Sequence, residues 1–153
     1  MTAPRTDDRP ADRDGRGPSA GRSRGGRGFE IVLVAVYGIF ALSATARSLV
    51  QVLRDVDRAP VAYSLSLLAA ATYIAVTVAL VRGGRRSRIA RVLVVIELIG
   101  VLAVGTLTVL DPELFPEATV WSVYGQGYGY VPLALPVIAL VYMLLGARKR
   151  PEA

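Results

Sequence analysis

The chain contains no cysteine and no histidine. The first absence excludes disulfides, thiol nucleophiles and cysteine-ligated metals. The second removes the commonest general base and metal ligand. Charged residues are scarce, at 20% of 153, and aromatic residues make up only 7%. A Walker loop, a dinucleotide fingerprint and a zinc ligand set are all missing, so no catalytic residue, cofactor or metal is expected. What remains is aliphatic: 53% of the residues are hydrophobic and the mean hydropathy is +0.46. That is too apolar for an ordinary soluble domain of this length.

The apolar residues gather into four runs. They cover residues 29–53 (FEIVLVAVYGIFALSATARSLVQVL), 61–81 (VAYSLSLLAAATYIAVTVALV), 89–110 (IARVLVVIELIGVLAVGTLTVL) and 131–146 (VPLALPVIALVYMLLG). At 1.5 Å per residue the first three reach about 30 Å of hydrocarbon, whereas the fourth reaches only about 24 Å. The expected fold is all-α: a polytopic four-transmembrane-helix bundle. Its short fourth helix must start inside the boundary, thin the bilayer or borrow from the segment before it. Residues 1–28 have almost nothing bulky to bury and read as a disordered basic tail; residues 147–153 form a second tail.

Charge sets the orientation. Arginines crowd the N-terminal tail, the connection RGGRRSRIAR (82–91) and the C-terminal RKR (148–150). The connection RDVDRAP (54–60) is balanced, and residues 111–130 hold acids but no base. The positive-inside rule then places both termini and the middle connection in the cytoplasm, and the other two outside. The implied location is a bacterial inner membrane. The formal charge of +6 fits anionic lipid contact; the Arg/Gly-rich tail lacks stacking aromatics, so no nucleic-acid partner is expected. A rival reading takes SATAR (43–47) as a signal-peptidase site, which would leave three spans.

Glu97 and Arg47 lie inside apolar runs. A carboxylate at the depth of Glu97 calls for protonation, a partner or a wet interior. Counting along the helices puts Tyr37, Tyr73 and Thr72 near its level, so these four form a candidate intramembrane polar site. Arg47 sits near the outer end of the first helix, where an ion pair to Asp111 would tie helices one and three together. Small residues on helix two, with Gly100 and Gly105 on helix three, suggest close helix packing.

The connection DPELFPEATVWSVYGQGYGYVP (111–132) suggests a short helix over residues 116–124, begun by Pro116 and broken by glycines. Trp121, Tyr124, Tyr128 and Tyr130 match the aromatic belt at headgroup level, with the helix surface-lying or shallowly re-entrant. With Arg47 and Asp111 they form a candidate outer-face binding surface. The GYG at 127–129 resembles the end of the potassium-channel pore signature, but Gly125 and Gln126 stand where that family has Thr and Val. The segments YSLSLLAAATY and YGQGYGYVP resemble small actinobacterial integral membrane proteins of uncharacterised function, a resemblance that implies no activity. The expected role is a non-enzymatic accessory or structural subunit contacting the bilayer and a larger membrane partner or a second copy. The alternatives are a small transporter or ion conductor using Glu97, and a membrane enzyme or binding protein for lipid or cell-envelope substrates.

Overall fold

The computed structural model describes residues 21–54 and 59–147. The first twenty residues of the expected tail, most of the balanced connection and the C-terminal RKR lie outside the described residues. The fold is all-α. Four helices run in order: α1 (Gly21–Arg54), α2 (Pro60–Gly83), α3 (Arg88–Leu110) and α4 (Val131–Ala147). The first three are long and apolar enough to cross a membrane. A fourth span arises only if α4 is counted with the bent turn before it.

Each long helix buries one stripe. On α1 the buried positions are Leu33, Tyr37, Ala41, Ala44, Ser48 and Gln51, and on α3 they include Ala90, Val94, Glu97, Val101, Val104 and Thr108. Steps of three and four keep such residues on one helical face. The opposite faces expose Ile39, Leu42, Val92, Ile99 and Leu102, among others. A surface this apolar is at ease in lipid and not in water. On α2 the buried face carries Ala62, Ser66, Ala69 and Ala70, small residues that let α1 approach closely.

Helix α1 begins at Gly21, eight residues before the apolar run that starts at Phe29. Once a helix is nucleated, each further residue adds a backbone bond at low cost. A tertiary anchor helps: the Tyr142 hydroxyl donates to the Gly26 carbonyl at 2.7 Å, and the Phe29 and Tyr142 rings lie 4.7 Å apart. These contacts join the start of α1 to the end of α4. Ser87 caps α3, its hydroxyl accepting from the Ala90 N–H at 3.1 Å.

The connection from α3 to α4 departs from the expected helix over 116–124. Beyond a 3-10 turn at Pro112–Leu114, the chain runs irregularly to Trp121 and then coils through Ser122–Tyr128. Val123, Tyr124 and Gly125 all have positive φ, as do Gly129 and Tyr130. Left-handed backbone is uncommon for a β-branched residue such as Val123. Tertiary bonds hold it there, because the Val123 N–H donates to the Thr108 hydroxyl at 2.8 Å. The Ser122–Tyr128 turn meets α4 at a bend of 100°.

Candidate functional site

The aromatic connection folds back into the bundle. Trp121 is 2% exposed, and its indole N–H donates to the Tyr73 hydroxyl on α2 at 3.1 Å. A Cβ at Gly100 would stand 2.7 Å from the Trp121 ring, so only glycine leaves room for it. Gly100 lies ten residues before the end of α3, so the indole sits about 15 Å down that helix. Gly105 makes the same room for Tyr124: a Cβ there would come 2.8 Å from the Tyr124 backbone nitrogen. These glycines seat aromatic rings and not a neighbouring helix. Trp121 is therefore not part of an outward-facing belt; of the four belt residues only Tyr130 is exposed.

Beneath the indole lies the polar layer. The Tyr37 hydroxyl on α1 donates to Glu97 Oε2 on α3 at 2.8 Å, and both residues are fully buried. Glu97 Oε1 is buried with no hydrogen-bond partner among the described residues. Tyr73 links the two pairs: its ring centroid is 6.3 Å from that of Tyr37 and 6.5 Å from that of Trp121. Phe40 closes the layer against Tyr73 at 5.6 Å. The structure thus brings Glu97, Tyr37 and Tyr73 together. Thr72 contributes nothing to them, because its hydroxyl donates to the Leu68 carbonyl of its own helix.

Arg47 does not pair with Asp111. Its guanidinium donates to the Ala118 carbonyl at 2.6 Å and to the Tyr128 hydroxyl at 3.2 Å, tying α1 to the folded-back connection. Asp111 instead ends α3, its backbone N–H donating to the Leu107 carbonyl. Tyr124 bonds Thr106 at 3.1 Å through their hydroxyls. The GYG triplet enters the 3-10 coil, with Tyr128 packed on Phe40 at 6.0 Å. Thr106 and Thr108 anchor the connection to α3, whereas Ser122 bonds Thr119 within it. Sequence alone did not single out Thr106 or Ser122; Thr108 shares the buried α3 stripe with Glu97 and Val104.

Among the described residues, no group of three His, Cys, Asp or Glu side chains could hold a metal ion. No family model, curated protein or solved structure matches the chain.

Proposed function

We propose that the chain is a four-helix protein of a bacterial cytoplasmic membrane, with both termini inside, acting as a non-enzymatic structural or accessory subunit. It would assemble with a larger membrane protein or with further copies of itself. The observation that carries this reading is the direction of the interior hydrogen bonds. Tyr37–Glu97 joins α1 to α3, Trp121–Tyr73 joins the aromatic connection to α2, Arg47 joins α1 to that connection, and Tyr142 joins α4 to α1. Each is a cross-link between elements, and together they brace a bundle whose outer faces are apolar and rich in contact surface. Buried polar groups in a membrane interior commonly serve such bracing.

The orientation rests on the arginine asymmetry between connections. A cysteine at Arg86 should resist a membrane-impermeant thiol reagent added outside intact cells, and one at Glu113 should react. The reverse pattern overturns the orientation. The role is tested by purification in several mild detergents at native expression, with mass measured by light scattering. The expected result is a stoichiometric complex or homo-oligomer; a lone monomer in every detergent contradicts it.

A further inference from the structure

A cavity of about 320 Å³ opens where the aromatic connection meets α1, lined by Arg47, Thr119, Ser122, Gln126, Gly127 and Tyr128 among others. None of its described lining residues is acidic. Arg47 enters it as a cation whose acceptors, a backbone carbonyl and a phenol, are both neutral. Arg47 Nε is buried and has no hydrogen-bond partner among the described residues. A guanidinium offers five N–H donors. Two are engaged here by described residues, so its charge is only partly compensated.

The other groups are also donors. Tyr128 uses its oxygen to accept from Arg47, which leaves its own O–H proton to offer. Gln126 is exposed and lines the cavity, and its carboxamide carries two further N–H groups. A donor-rich cavity with a partly compensated cation and no carboxylate among its described lining residues suits an acceptor-only anion. Phosphate matches best, because its tetrahedral oxygens take several donors at once and arginine is suited to it. One turn on from Arg47, α1 exposes Val50, apolar surface on which an acyl chain can lie.

We propose that this cavity binds the phosphate of an anionic phospholipid headgroup, with Arg47 as the charged contact and Tyr128 and Gln126 as hydrogen-bond donors. The volume fits one headgroup, being at the small end of ligand cavities. The inference rests on the membrane-spanning reading, not on the structural role. Cysteine labelling tests that reading separately, so the two can fail independently.

The test is native mass spectrometry of the full chain in detergent, titrated with phosphatidylglycerol, phosphatidylcholine or inorganic phosphate. Three variants are compared with wild type: Arg47→Gln, Gln126→Glu and, at the other end of the bundle, Arg86→Gln. Wild type is expected to bind one phosphatidylglycerol about tenfold more tightly than phosphatidylcholine. Gln126→Glu sets a like charge at the rim and is expected to erase that preference, as is Arg47→Gln. Arg86→Gln should leave this tight site in place. Because Arg47 also anchors the connection, Gln126→Glu decides the matter if Arg47→Gln does not fold. Equal binding by wild type and Gln126→Glu overturns the proposal. So does loss of the tight site in Arg86→Gln, which would assign the lipid to the other end. Inorganic phosphate competing at equal concentration would overturn the lipid as the source of the anion.

Discussion

Gly105→Val is expected to expel the aromatic connection from the bundle and to lower stability by about 1–3 kcal/mol, the range for overpacking a filled core. A Cβ at this position meets the Tyr124 backbone nitrogen at 2.8 Å. A flexible side chain could turn away, but this backbone is held by the bond from Val123 to Thr108 at 2.8 Å. The sign of the change is what makes the experiment informative. In an open helix interior, replacing glycine with alanine is favourable by about 1 kcal/mol. Gly38 has nothing within 4 Å of its virtual Cβ and serves as that control. Gly38→Ala should hold or raise the thermal midpoint in detergent, whereas Gly105→Val should lower it. The Gly105 variant should also make a cysteine at Ser122 faster to label. A rise in stability for Gly105→Val would mean that no chain packs against α3 there.

Breaking one half of the Tyr37–Glu97 pair is expected to cost more than removing both. Tyr37→Phe takes away the only hydrogen bond that Glu97 receives from a described residue, leaving its second oxygen as unpartnered as the first. Orphaning a buried polar group costs about 1–3 kcal/mol, and more where the group is charged. Glu97→Leu strands the Tyr37 hydroxyl in the same way but removes the carboxyl that lacks a full set of partners. The double variant replaces the pair with apolar groups of similar size, a change that is often near neutral. Thermal midpoints of the four proteins therefore form a cycle with strong positive coupling. Tyr37→Phe should be the least stable, and the double variant should approach wild type. Additive losses would show that the two side chains do not share a bond.

These two expectations concern features that the sequence made visible to different degrees. The long apolar runs are legible because a helix facing lipid needs continuous hydrophobicity, and α2 and α3 begin and end within two residues of the runs at 61–81 and 89–110. The nearness of Tyr37, Tyr73 and Glu97 is also legible, because rise per residue fixes depth along antiparallel helices. Rotation about the helix axis is not fixed in that way, which is why Thr72, one residue from Tyr73, turns to its own backbone. The connection over 111–130 was the least legible. Its propensities favour a short helix after Pro116, and its aromatics favour an interface. Both are overridden by tertiary contacts. The Trp121 indole fills the space above Gly100, its N–H meets Tyr73, and Thr108 claims the Val123 N–H. Such contacts depend on residues far apart in the chain. The glycines on α3 carried the only hint, since an unoccupied side-chain position can receive a ring as readily as a helix. The beginning of α1 was missed for a related reason: Gly26 is fastened by Tyr142, which lies more than a hundred residues later.

The central claim is that the aromatic connection is an internal brace, with Trp121 inside the bundle. The chain has a single tryptophan, so its fluorescence reports this position without mutation. In reconstituted vesicles, emission should be blue-shifted and quenched weakly by aqueous iodide. It should also be quenched weakly by lipids brominated near the headgroup, because the ring is 2% exposed and walled by α2 and α3. Strong quenching by iodide or by headgroup-level bromine would put Trp121 at the membrane surface and contradict the account.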